Sequence, residues 1–230
     1  MFTLTTIMMT DIDLFRGLSA SEMDRVESVL HKKTFPADAN IITAEAPGEV
    51  VYIIQSGTVK IHIDQADGRD VILAILGPGD IVGEMSLIDS SGRSASVITL
   101  EESILYWMSG RDFQECLRTM PTVSQNLVRI LSMRVRLANE LIQALANLDV
   151  HGRVARQLLA FAERYGQPDA DGGVFIPIRV TQGDIADLVG ASRKRVNTVI
   201  VTFKEQGLVS VDEKNYITVH DRKMLARLCR

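Results

Sequence analysis

At 230 residues, 46% hydrophobic and 23% charged, the chain suits a folded soluble protein of one large or two smaller domains with a sizeable core. No apolar run approaches the roughly 18 residues of a membrane span; the start MFTLTTIMMTD lacks a basic stretch before an apolar one, and Cys116 and Cys229 stand far apart without a CxxC. These features argue against a membrane partner, secretion, a disulfide framework and a zinc or iron–sulfur site, and make the cytoplasm the expected location. The net charge of −4 is split unevenly, with 12 Lys and Arg against 20 Asp and Glu in residues 1–149 and 13 against 9 in residues 150–230, so a basic C-terminal module follows an acidic one.

Ser19-Ala20-Ser21-Glu22 reads as a capping box that opens a short helix to about Leu30. From Thr34 to Leu105 the pattern changes to short β-branched runs broken by turns: VVYIIQSGTVKIHI, Asp67-Gly68, VILAIL, Gly77-Pro78-Gly79-Asp80, then SASVITL and SILYWM. Such strands predict an antiparallel sandwich or barrel enclosing a cavity, with Gly48, Gly57, Gly68 and Gly79 where it must turn.

Within that half, Val82 to Val97 (VGEMSLIDSSGRSASV) gathers what a small phosphorylated ligand needs. Gly83 lets backbone come close, and Arg93 offers a planar fork of donors suited to phosphate oxygens. Ser94 and Ala95 leave small side chains and free N–H groups beside it. Glu84 only accepts hydrogen bonds and would repel a phosphate, so it must address a hydroxyl, and a ribose 2'-OH fits. One anionic group and one sugar hydroxyl on the same ligand describe a nucleoside 3',5'-cyclic phosphate. The plainer alternative is a surface loop whose Glu84 and Arg93 form a weak ion pair.

Pro121 starts a helical run to about Leu148 with two seams alternating four and three. One is Val123, Leu127, Ile130, Arg134, Leu137, Leu141, Ala144, Leu148; the other is Val128, Leu131, Val135, Ala138, Ile142, Leu145. Arg134 is the only polar member of either. Two adjacent heptad seams imply two partners, the barrel and the same helix of a second copy, against the alternative of a simple core helix.

Asp149 caps a further helix to about Tyr165, Gly166 stops it, and GQPDADGG reads as a loop. Thr181 with Asp184 starts a helix with Ile185, Leu188 and Val189 on its buried stripe, and Gly190-Ala191 turns the chain. Ser192 caps a second helix, with Val196, Val199, Ile200 and Phe203 inward and Arg193, Lys194, Asn197 and Thr198 outward. Gly207 ends it, and LVSV and YITV flank DEKN as a hairpin wing. A winged helix-turn-helix sets its second helix in a DNA major groove, first residues at the bases. The expected DNA-facing set is Thr181, Gln182, Ser192, Arg193, Lys194, Asn197 and Thr198, with Lys214 from the wing.

Gly83-Glu84, the apolar Leu87 and Arg93-Ser94-Ala95 resemble the phosphate-binding cassette of cyclic-nucleotide-binding domains, and the four barrel glycines resemble the glycine pattern of cyclic-nucleotide β-rolls. Barrel, long helix and winged helix, in that order from about Phe15 to Val219, are similar to the cyclic-AMP receptor protein and fumarate-nitrate regulator superfamily of bacterial transcription factors. The resemblance implies an α+β chain with a cyclic-nucleotide-binding β-roll (a jelly-roll barrel) at 1–120. A dimerisation helix at 121–148 and a winged helix-turn-helix DNA-binding domain at 149–230 complete it. It implies that Glu84 holds the ribose hydroxyl, that Arg93 and Ser94 hold the cyclic phosphate, and that Gly83 and Ala95 shape the pocket. Ile61, Leu73 and Ala74 would line it, and Arg134, Ala138 and Asn139 of the long helix would join it.

Relatives often place Thr and then Ser or Asn against the base. Ala138 lacks that hydroxyl, a loss of about 1 kcal/mol if the contact is buried, whereas the Asn139 amide still donates and accepts. Arg193 matches an arginine aimed at guanine O6 and N7. Lys194 stands where many relatives have an accepting Glu, and Thr198 replaces a later Arg, so the operator is expected to keep a guanine under Arg193 and differ beside it. The resemblance further implies a homodimer that is not an enzyme and has no cofactor. Its effector would be cyclic AMP, with cyclic GMP as the alternative, and its partners double-stranded DNA at a pseudo-palindromic site and RNA polymerase. The oxygen-sensing branch needs an N-terminal cysteine cluster, and haem-based carbon monoxide sensing needs Cys and His ligands that this chain lacks in suitable places. Two rival readings remain open. A metal-dependent jelly-roll enzyme needs clustered ligands, whereas His31, His62, His151 and His220 are scattered; a ligand-independent regulator with a vestigial pocket is favoured by the departure at Ala138.

Overall fold

The computed structural model describes residues 7–64 and 70–229, so the expected turn at Asp67-Gly68 and the first six residues lie outside it. Two compact units emerge, residues 1–68 with 73–135 and residues 69–72 with 136–230. The division falls inside the long helix and not at either of its ends.

In the first unit, two short 3-10 turns, Met9–Asp11 and Asp13–Phe15, bring Leu14 and Phe15 into the core. The Ser19 hydroxyl accepts from the Glu22 N–H and the Glu22 carboxylate accepts from the Ser19 N–H at 2.8 Å, so the expected capping box opens α1 (Ala20–Val29). There follow β1 (His31–Phe35), β2 (Asn40–Ile42), β3 (Val50–Ser56), β4 (Val59–Asp64), β5 (Asp70–Leu76, of which residues 73–76 fall in this unit), β6 (Ile81–Val82), α2 (Met85–Ile88), β7 (Ser96–Thr99) and β8 (Ser103–Ser109). They make two four-stranded sheets, ordered β1-β8-β3-β6 and β2-β7-β4-β5, a sandwich as the strand pattern predicts. Gly57 and Gly79 occupy the β3–β4 and β5–β6 turns, and Gly48 precedes β3.

Strand β3 is buried on both faces, which explains its near-continuous apolar run. Ile54 joins Val59, Leu76, Val82, Val97 and Leu105 in one core cluster. Val51 and Ile53 join Met108 in another, with Phe113 and Cys116 of α3 (Gly110–Thr119) and Val123, Leu127 and Ile130 of α4 (Pro121–Asn147). Helix α3 is absent from the sequence reading. Its signal is Ser109, whose hydroxyl accepts from the Asp112 N–H at 3.1 Å, followed by buried residues three apart.

Helix α4 begins at Pro121, where a missing N–H costs nothing. Its two seams differ in burial, though not along their whole length, since Leu137 and Leu141 of the first are half-buried and Leu131 of the second packs on the core. Val123, Leu127, Ile130 and Ala144 are buried, whereas Val128, Val135 and Ile142 are 60–63% exposed.

In the second unit the Asp149 carboxylate accepts from the Gly152 N–H at 2.8 Å and caps α5 (Val150–Tyr165). Gly166 ends α5 with φ −60°, so no left-handed cap is formed. Its role is steric: a Cβ there would lie 2.1 Å from the Ala162 carbonyl oxygen and 2.3 Å from Val174 Cγ1. The following segment is not all loop, because β9 (Gln167–Pro168) pairs with β10 (Val174–Ile176). Then come α6 (Gln182–Leu188), α7 (Arg193–Glu205), β11 (Val209–Val211), β12 (Ile217–Val219) and α8 (Arg222–Arg227). The wing hairpin is half of a four-stranded sheet, β11-β12-β10-β9. Helix α8, capped by Asp221 and anchored by buried Leu225, has too short an apolar pattern to stand out in the sequence. Among the described residues no helix is long and apolar enough to cross a membrane.

Candidate ligand site and nucleic-acid interface

The β6–α2 junction carries Gly83 and Glu84, and the chain returns through Arg93 just before β7. The return is fixed by backbone: the Glu45 N–H bonds the Arg93 carbonyl at 3.0 Å, and the Arg93 N–H bonds the Ala46 carbonyl at 3.2 Å. Gly83 has φ +86°, and a Cβ would lie 2.5 Å from Arg93 Nη1 and 3.0 Å from the Val50 carbonyl. Glycine is therefore required so that the guanidinium can lie against the chain.

Arg93 is buried and held at three points. Nη1 donates to the Gly83 carbonyl at 2.6 Å and the Ser86 hydroxyl at 2.9 Å, and Nη2 donates to the Val50 carbonyl at 2.6 Å. A guanidinium has five N–H groups, so the Nε–H and one Nη2–H remain without a partner among the described residues. Burial pushes the Arg93 pKa below its usual range, and nearby Tyr52, Glu84 and Glu49 push it back up. The side chain is a rigid cation with donors in reserve, as an incoming anion requires. Ser86 and the Val50 carbonyl were not foreseen; Ser86 lies in the cassette, but nothing in its spacing marks it as a brace for Arg93.

Glu84 is 2% exposed, and Arg134 of α4 donates from Nη1 to its Oε1 at 2.6 Å. Arg134 Nη2 also bonds the Ile81 carbonyl. Oε2 of Glu84 has no partner among the described residues and can accept from a hydroxyl. The weak surface ion pair between Glu84 and Arg93 is thus replaced by a buried one between Glu84 and Arg134. Gly83, Glu84, Arg93 and Arg134 come together at one site that offers one acceptor and one anion-binding fork.

The remaining expected residues divide. Ala95 is buried, and Ser94, between it and Arg93, is exposed. Ile61 and Ala74 pack on the sandwich core, whereas Leu73, alternating on β5, points to the other face and is 45% exposed. Ala138 and Asn139 are exposed residues of α4 in the second unit.

In the second unit, Thr181 and Asp184 form a reciprocal capping box, the Asp184 N–H to the Thr181 hydroxyl at 3.2 Å and the Thr181 N–H to the Asp184 carboxylate at 2.9 Å. Gln182 follows, half-buried, at the first position of α6. The Ile185, Leu188 and Val189 stripe is buried, the turn closes with the Ala191 N–H on the Ala186 carbonyl at 2.9 Å, and Ser192 caps α7. Val196, Val199, Ile200 and Phe203 are buried as expected. Arg193, Lys194, Asn197 and Thr198 are exposed on the first two turns. The side chains of Arg193, Lys194 and Asn197 have no partner among the described residues, while the Thr198 hydroxyl donates back to the Lys194 carbonyl at 3.1 Å. Lys214 is exposed at the wing tip, whose turn is braced by Asp212 accepting from the Lys214 and Tyr216 N–H groups. An exposed basic helix start with uncommitted donors and a wing beside it suits a major groove.

Comparison with known proteins covers both units. The family described as cyclic nucleotide-binding domain matches residues 32–120, and that described as Crp-like helix-turn-helix domain matches residues 152–228. The CRP-like cAMP-activated global transcriptional regulator of Mycobacterium tuberculosis is 35% identical over 94% of this chain and 96% of its own length. The Cyclic AMP receptor protein of Thermus thermophilus is 31% identical over 85% of this chain and 87% of its own. Among solved structures, that of the c-di-GMP responsive global regulator CLP of Xanthomonas campestris superposes with a TM-score of 0.70 at 25% identity, covering 88% of this chain and all of that one.

Proposed function

Because this chain belongs to the Crp/Fnr superfamily of DNA-binding transcription regulators, which are not enzymes, we propose that a cyclic nucleotide bound at the Gly83–Arg93 cassette governs its hold on DNA. The observation that carries this reading is the anchored Arg93 with two N–H groups in reserve, close to Glu84 with one oxygen in reserve. The cyclic phosphate takes the Arg93 fork with help from Ser94 and the backbone beside Ala95, and the ribose hydroxyl donates to Glu84. Cyclic AMP is the first choice, since the M. tuberculosis relative is described as cAMP-activated; cyclic GMP offers the same two handles.

Arg134 gives ligand binding a mechanical consequence. It joins Glu84 to α4, so a hydroxyl arriving at the same carboxylate changes what holds that helix. The exposed seam of Val128, Val135 and Ile142 covers itself against a second copy, making a homodimer. Two recognition helices about 34 Å apart then meet successive major grooves of a pseudo-palindromic site, where RNA polymerase is the partner in the cytoplasm. The ligand shifts this equilibrium only by its differential affinity for the two states.

Calorimetric titration with cyclic AMP, cyclic GMP and cyclic di-GMP, repeated on Arg93→Ala, tests the reading. Saturable binding of one cyclic mononucleotide, lost in the variant, supports it. Binding of cyclic di-GMP alone would assign a different effector, and no binding at all would leave a ligand-independent regulator.

A further inference from the structure

The recognition helix has a second tie that the binding surface does not use. Arg153, on the first turn of α5, donates from Nε to the Leu148 carbonyl at 3.2 Å and from Nη1 to the Val189 and Gly190 carbonyls at 2.9 and 3.3 Å. Leu148 follows the last residue of α4, and Val189 and Gly190 form the turn between α6 and α7. These carbonyls lie at helix C-termini, where no further N–H of the helix reaches them and partial negative charge accumulates. One planar cation caps two helix ends and so ties the α4–α5 junction to this turn.

We infer that Arg153 is a positioning residue for DNA binding, which transmits the geometry of the α4–α5 junction at Leu148-Asp149 to the start of the recognition helix. A change of backbone at Leu148 moves its carbonyl. Because the guanidinium is rigid, Arg153 then either turns with it, dragging the Val189-Gly190 turn, or gives up one of its bonds. Ser192 and Arg193 lie two and three residues beyond Gly190, so the displacement reaches the residues that face the bases. Arg156, one turn further on α5, also crosses the α4–α5 junction, to Glu140 at 3.0 Å, but as an exposed pair without a bond to the turn. It serves as the control.

The regulatory half of this inference rests on the cyclic-nucleotide reading, and the experiment separates the two. Full-length wild type, Arg153→Gln, Arg153→Lys and Arg156→Gln are compared by fluorescence anisotropy on a duplex selected from random DNA with the wild type, with and without saturating cyclic AMP. Hydrogen exchange is followed in the segments 144–150 and 186–195. Arg153→Gln is expected to keep its far-ultraviolet spectrum and nucleotide affinity, to lose at least tenfold of the nucleotide-dependent gain in DNA affinity, and to exchange faster in both segments together. Arg153→Lys recovers little, because one ammonium cannot reproduce the fork spanning both helix ends, and Arg156→Gln stays within twofold of wild type. Retention of the full gain in Arg153→Gln, or faster exchange in only one segment, overturns the inference. If wild type itself shows no nucleotide response, the effector reading fails, and the paired exchange readout still decides the role of Arg153.

Discussion

Gly83→Ala separates the two jobs of the cassette backbone. Alanine at φ +86° carries a left-handed cost of roughly 1–2 kcal/mol, present with or without ligand. For a chain of this size that corresponds to a fall in melting temperature of about 2–8 °C. The new methyl would also sit 2.5 Å from Arg93 Nη1, so the guanidinium must leave the Gly83 carbonyl and its fork shifts away from the phosphate position. Losing one or two charge-assisted hydrogen bonds to ligand costs about 2–4 kcal/mol, which at 1.4 kcal/mol per tenfold is roughly 30- to 1000-fold in affinity. Gly92→Ala, beside Arg93 in the same loop, is the internal standard: its Cβ meets only Glu45 backbone at 3.7–4.0 Å, an ordinary contact. Calorimetry with cyclic AMP and thermal unfolding on both variants make the test. Binding by Gly83→Ala within threefold of wild type, or an equal loss in Gly92→Ala, would refute the reasoning.

Arg134→Met strands the buried Glu84 carboxylate and is expected to destabilise the first unit by roughly 3 kcal/mol. Adding Glu84→Gln should restore part of this in urea unfolding followed by Trp107 fluorescence; no restoration would mean the pair is not coupled. Val135→Asp together with Ile142→Asp places charges on the exposed seam and should convert a dimer to monomers in sedimentation equilibrium, with little effect on far-ultraviolet circular dichroism. Arg193→Ala should weaken binding to the selected operator by about 1–3 kcal/mol and relax preference at a single base position; uniform weakening at every position would make Arg193 a phosphate contact. Burial pushes the Cys116 thiol pKa up, so its thiolate is scarce at neutral pH, and iodoacetamide should modify it much more slowly in the native chain than in urea, gaining rate only as pH rises. Equal rates in both states would contradict its burial.

The order of the elements was legible because local signals carried it. The Ser19, Thr181 and Ser192 caps, the heptad seams of α4 and the inward stripe of α7 depend on residues a few positions apart, and the structure places them where those spacings imply. Helix α8 was missed because its six residues carry only one buried side chain, Leu225, whereas α3 is as long as α1 and has local signals of its own, the Ser109 cap and the Phe113 and Cys116 pair, that the sequence reading passed over.

The site divides along the same line. Gly83, Glu84 and Arg93 could be chosen from the sequence because a flexible glycine, an acceptor and a planar cation limit what a ligand must offer. The identity of Glu84's partner is a long-range fact: Arg134 lies 50 positions away and meets it only because α4 packs on the sandwich. So too is the bracing of Arg93 by Val50, 43 positions earlier, and the 94-residue separation that Arg25 spans to reach Thr119. Chemistry by residue type was thus readable in one dimension. Which donors are already spent, and which remain for a ligand, depends on carbonyls and carboxylates that only tertiary packing brings within hydrogen-bond distance.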